Sequence, residues 1–151
     1  MKNFQFRFLS ILNLRRRERD EVGGLVGEAN AAIAKVESQI ESIEEERRRL
    51  LVEEQATRVG EISVDRLLAK GRYDLQLKAE IHGLEETLVK LAEELERRQD
   101  RLRQAETEVK KFERMMEIDA ERFRDELNRR EQMELDEISN RRGVLQRRNQ
   151  A

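Results

Sequence analysis

The residues able to do acid–base or nucleophilic chemistry are few, and their spacing does not bring them together. The single histidine, His82, stands beside Ile81 and Leu84, so it reads as a partly exposed position flanking an apolar stripe. There is no cysteine, which removes thiolate nucleophiles, disulfides and Cys-based metal sites and is compatible with the cytoplasm. Carboxylates are abundant but alternate with arginines at helical spacing, the pattern of a salt-bridged helix surface rather than of a catalytic pair. Gly23, Gly24 and Gly27 are not followed by Lys-Ser or Lys-Thr, so they form no phosphate loop. Placed in a helix, each costs about 1 kcal/mol against alanine, so they read as a soft spot that could serve close helix approach or bending. The residues therefore assign no catalytic, cofactor or metal site, and the expectation is a protein without an active site.

Recognition chemistry has more to offer. Arg15, Arg16, Arg17 and Arg19 form a basic cluster, which is either solvated charge beside Glu18, Asp20 and Glu21 or a contact for an anionic protein or lipid surface. Acids follow at once and no aromatic stacking partner is near, which argues against nucleic acid. Tyr73, the only tyrosine, either extends an apolar seam as a half-buried ring or offers a recognition anchor. The segment 128–142, NRREQMELDEISNRR, is almost all charge and has only Met133, Leu135 and Ile138 to bury.

The elements that must position these residues follow from composition and periodicity. Over 151 residues, 42% are charged, 37% belong to the hydrophobic class, and proline and tryptophan are absent. That is too little apolar surface for a round core, leaving disorder or long helices that share a narrow seam. Net charge is −2 with both signs interspersed, so bulk charge points to neither DNA nor membrane. At the start, Lys2 precedes apolar residues, but Arg7 interrupts them and a charged cluster follows in place of a small-residue cleavage site; secretion is not expected. No apolar stretch approaches the roughly 20 residues needed to cross a bilayer.

Periodicity decides for helices. Leu77, Ile81, Leu84, Leu88, Leu91, Leu95, Leu102, Ala105, Val109, Phe112 and Met116 alternate spacings of four and three, with Arg98 as the misfit. Phe8, Leu12, Val22, Val26, Ala29, Ile33, Val36, Ile40, Ile43 and Leu50 keep the same rule, with Arg15, Arg19 and Arg47 on seam positions. This is the a/d seam of a left-handed coiled coil. The seam arginines are expected to lay their stems along it and keep their guanidinium groups in water. A break falls at 59–63, where Gly60 can end one helix and Ser63 can cap the next through the backbone N–H of Asp65 or Arg66. So short a connection makes the helices antiparallel neighbours.

The expectation is thus all-α: one domain over 1–151, a long antiparallel two-helix coiled coil (a helical hairpin) with helices at about 6–58 and 64–147 and a C-terminal helix overhang. At about 1.5 Å per residue the helices would be roughly 80 and 125 Å long. Residue i then faces a partner near 122 − i. That places Phe6 and Phe8 near Phe112, Met115 and Met116 and leaves everything after about Asp119 overhanging.

Taken together, the opening FQFRFLSILNLRRRE, the mid-chain break followed by RYDLQLKAEI, and the tail RREQMELDE resemble the flagellar export protein FliJ family over nearly the whole chain. The resemblance implies a cytoplasmic component of the flagellar type III export apparatus, peripheral at the inner face of the cell membrane and similar to the central stalk of rotary ATPases. It implies three partners: the hexameric export ATPase, the cytoplasmic domain of the export gate, and export chaperones. Carried onto this chain, the ATPase-facing residues are Arg129, Arg130, Glu131, Glu134, Asp136 and Glu137. The gate-facing ones are Tyr73, Gln76 and Ala79. The protein alone is expected to be a monomer, with no cofactor and no nucleic acid. Two other readings stand beside it: a self-associating structural coiled coil, in which the turn straightens and the same seam pairs between chains as a longer dimer, and a stalk of a virulence-type secretion system or V-type ATPase, which would share the architecture.

Overall fold

A computed structural model describes residues 3–57 and 63–150. Two helices account for nearly all of them: α1, Leu9–Thr57, and α2, Val64–Gln150, of 49 and 87 residues. They pack against each other as a helical hairpin, with no strand among the described residues. The expected turn at 59–63 lies outside the described residues except for Ser63. The Ser63 carbonyl accepts the Leu67 N–H at 3.2 Å, the first bond of α2, which is the backbone role of an N-cap.

Contacts divide the chain into two compact units, one of Met1–Arg19 with Ala105–Ala151 and one of Asp20–Gln104. In both, burial follows the heptad seam. Leu12, Val109, Ala29, Leu77 and Ile81 are buried, and every other seam residue named above is at least half-buried. Only six hydrophobic residues are buried among those described, which is what a two-stranded seam supplies where a globular core would bury many more.

In the first unit the chain does not enter α1 near residue 6 but at Leu9. Residues 3–8 alternate: Asn3, Gln5 and Arg7 are exposed, while Phe4, Phe6 and Phe8 turn inward. The alternation has period two; residues 3–6 lie outside any helix, and Arg7 and Phe8 form a turn closed by the Leu9 N–H on the Phe6 carbonyl at 3.2 Å. A continuous helix would put Phe4 and Phe8 on one face and turn Phe6 away from them. Here all three gather against α2: Phe6 joins Leu12 and Val109, and Phe4, Phe8, Phe112, Met115 and Met116 pack around them. Phe8 meets Phe112 edge-on at 6.4 Å, and Phe4 reaches Phe123 at 5.8 Å. Arg16 adds an ion pair to Glu113 at 3.2 Å.

In the second unit, Leu25 lies opposite Arg98 and Arg47 opposite Asp74, each within one position of the expected antiparallel register. The seam arginines do more than keep their heads in water. Arg47 donates to Asp74 at 2.9 Å, and Arg98 crosses the seam to the Leu25 carbonyl at 2.7 Å while Glu94 accepts from its Nε at 3.0 Å. Tyr73 flanks the seam and donates its hydroxyl to Glu46 at 2.5 Å.

The glycines do not serve close approach. A Cβ built on Gly23, Gly24 or Gly27 would meet nothing within 4 Å, and none of the three has a positive φ. Helix α1 runs through them without interruption.

Candidate functional site

No described residues assemble a reaction centre. His82 is exposed, with Nε2 3.1 Å from Glu86 one turn on. No group of three or more His, Cys, Asp or Glu among the described residues could hold a metal. No described helix is long and apolar enough to cross a membrane. The surfaces that remain are those on which partners would dock.

The first is the distal part of α2. The packing of Phe4 on Phe123 carries the covered part of the helix past the Asp119 expected from the sequence. Asn3, Phe4 and Gln5 form an open cleft with Asp119, Arg122, Phe123 and Glu126. From Leu127 to Gln150 every residue is exposed except the half-buried Gly143. The overhang therefore begins about eight residues later than the register alone suggests. It is held helical by contacts along its own axis: Arg130 to Glu126 at 2.6 Å, Arg141 to Glu137 at 3.1 Å, and Gln132 to Asp136 at 3.2 Å, all at i,i+4. Leu127, Met133, Leu135, Ile138, Val144 and Leu145 stand open among these charges, from 41% to 66% exposed.

All six tail residues inferred from the resemblance lie on this exposed stretch, but the helix does not bring them to one face. At 3.6 residues per turn, Arg130, Glu134 and Glu137 share a stripe, Arg129 and Asp136 lie about a third of a turn round from it on one flank, and Glu131 lies about a quarter of a turn round on the other. Only the stripe of three forms a continuous polar surface.

The second surface is on α2 near its start. Tyr73, Gln76 and Ala79 are exposed at successive i,i+3 steps, beside Leu75, which is 65% exposed. The Glu46 carboxylate beside the Tyr73 hydroxyl accepts its proton's hydrogen bond and holds the phenol above its usual pKa. The polar end of Tyr73 is thus tied to α1, and its ring edge is what remains open. Around this region, Arg47 and Lys78 hold the Asp74 carboxyl below the usual carboxylate range. Arg48 does the same for Glu45, and Arg97 with Arg98 for Glu94. Leu51, Val52, Val64 and Leu68 add further exposed apolar side chains in the same unit. Neither Leu75 nor this group figured in the sequence reading, because the heptad rule marks only positions that face the partner helix.

The described residues form a two-helix hairpin that buries little and leaves a long stretch of α2 exposed. Its particular family is shown by comparison: the family model for the flagellar FliJ protein matches residues 4–148, and the chain belongs to that family. Membership makes it a component of the flagellar export apparatus, in a family of non-catalytic export stalk components. No curated protein and no solved structure matches the chain.

Proposed function

We propose that this chain is the coiled-coil stalk that binds and stimulates the hexameric flagellar export ATPase and links it to the cytoplasmic domain of the export gate and to substrate chaperones. It works in the cytoplasm, peripheral to the membrane through the apparatus, and has no active site of its own. The observation that carries this reading is the overhang. Residues 127–150 are a helix left uncovered by the other described residues, and all but its last two lie inside the span matched by the family model. A helix already formed presents its contacts without the ordering cost of a disordered tail, so affinity is not spent on folding. Its mixed charge favours a polar protein surface, with Arg130, Glu134 and Glu137 as the first contacts and Arg129, Glu131 and Asp136 engaged where the partner wraps the helix. Tyr73, Gln76 and Ala79 face the gate through the open ring edge and the apolar side chains beside it.

The test is ATP turnover by the same organism's flagellar export ATPase, with and without this chain. The full chain is expected to raise turnover and to co-elute with the ATPase. A chain ending at Glu126, which keeps the Phe4–Phe123 contact, is expected to keep the hairpin's helicity and to lose both effects. Equal stimulation by the shortened chain would remove the overhang from the mechanism, and no effect of the full chain would overturn the reading.

A further inference from the structure

The overhang carries a second heptad pattern, offset from the seam that packs the hairpin. Asn128, Glu131, Leu135, Ile138, Arg142 and Leu145 are spaced three, four, three, four, three, and all six are exposed. Leu135, Ile138 and Leu145 are 60%, 49% and 58% exposed, so the stripe has an apolar centre and one apolar end. Spacing of this kind suits one neighbouring helix, and the charges select which.

A second copy laid parallel would oppose Glu131 to Glu131 and Arg142 to Arg142, placing like charges face to face in the seam. Laid antiparallel, a positions meet d positions, and the pairs are Leu135 with Ile138, Glu131 with Arg142, and Asn128 with Leu145, each occurring twice about a two-fold axis. The flanking positions agree: Glu134 of one copy falls beside Arg141 of the other. Glu131, Glu134 and Arg142 have no ion-pair partner among the described residues, and Arg141 is held only by Glu137 one turn away. Every close charge pair across the antiparallel arrangement is attractive, and every one across the parallel arrangement on the seam is repulsive.

We propose that the exposed helix at 127–150 is a self-complementary surface on which a second copy of this chain docks antiparallel, with Leu135 and Ile138 at the two-fold axis and Glu131 paired to Arg142. The surface does not depend on the export reading. Where both hold, a second copy covers Glu131 and Glu134, so copy and ATPase exclude each other. The polar seam positions make the dimer weak and its partner choice strict.

Sedimentation velocity of the full chain, from about 5 µM to about 500 µM, tests this, since that range spans the weak dissociation constants such a seam supports. The wild type is expected to shift from monomer towards dimer. Glu131→Arg alone and Arg142→Glu alone each turn two attractive pairs into two repulsive ones and are expected to weaken the dimer by at least about tenfold. The double variant restores both pairs with reversed sign and is expected to regain wild-type association. Helicity by circular dichroism, unchanged in all four chains, keeps folding out of the comparison. A monomer at every concentration, a dimer indifferent to the single swaps, or a double variant as monomeric as the singles would each overturn the proposal.

Discussion

Replacing Gly23, Gly24 and Gly27 together by alanine is expected to stabilise the protein, and the size of the gain follows from the structure. All three lie inside α1, none has a positive φ, and an added Cβ meets no atom within 4 Å. No steric cost therefore offsets the gain in helix propensity, about 0.8–1 kcal/mol for each exchange in a helix interior. Part of that gain comes from the unfolded chain, which loses conformational freedom when glycine becomes alanine. The sum is about 2–3 kcal/mol. For a chain of this size that corresponds to a rise in melting temperature of about 5–10 °C. With a urea slope near 2 kcal/mol per molar, the midpoint should move up by about 1 M. Urea titration followed at 222 nm reads both the midpoint and the slope. A midpoint at or below that of the wild type, with the slope unchanged, would refute the reasoning. It would mean that these glycines are needed in a conformation other than the straight helix.

Three further outcomes follow. Arg98→Ala removes the bond to the Leu25 carbonyl and the pair with Glu94, and should lower the unfolding free energy by about 1–2 kcal/mol. Arg98→Leu, which fills the seam, should be neutral or stabilising in the same titration. Asp74→Asn should cost less than about 1 kcal/mol at pH 7, because the pair with Arg47 is about a third exposed. The folded pKa of Asp74 is depressed, so this difference from wild type is fully present above the ordinary value of 3.8, and urea titrations in acid should show it vanish as pH falls below that value. Phe6→Ala empties the most buried ring of the N-terminal segment, 7% exposed, and should cost about 3 kcal/mol, while Phe4→Ala loses chiefly the Phe123 contact and should cost about 1 kcal/mol. Limited proteolysis should then cut near residues 3–8 fastest in Phe6→Ala.

The hairpin was legible because a heptad repeat states both the helix and its partner's register. The pairs Leu25 with Arg98 and Arg47 with Asp74 fall within one position of the 122 − i rule. What the repeat cannot carry is anything that leaves its period. Phe4-Gln5-Phe6-Arg7-Phe8 is a period-two signal, and starting the helix at about residue 6 hid the non-helical N-terminal segment that covers α2 as far as Phe123. The partner of Arg98 is a backbone carbonyl, which no side-chain pattern announces. The same limit applies to the proposed docking residues. The tail motif falls on an exposed segment, but a linear motif does not say which residues share a face. Helical geometry splits Arg130, Glu134 and Glu137 from Arg129 and Asp136.

The charged tail poses a physical question, since a helix of some two dozen residues standing alone in water is marginal. Its stability here does not have to be found alone. Helix α2 is already nucleated where Leu77, Ile81 and Val109 pack, so each residue after Glu126 adds only a propagation step, and the unfavourable nucleus is formed once for the whole helix. Arg130 with Glu126 and Arg141 with Glu137 each add about 0.2–0.5 kcal/mol as i,i+4 pairs. In Arg130–Glu126 the acid precedes the base, the more favourable order along a helix, as it does in Arg141–Glu137. The hairpin thus acts as the nucleus for an exposed helix whose side chains are spaced for contact with another surface. Strengthening that helix with more internal pairs would take its charges away from partners. Among the described residues Glu131, Glu134 and Arg142 have no ion-pair partner, which leaves those groups open to the docking proposed above.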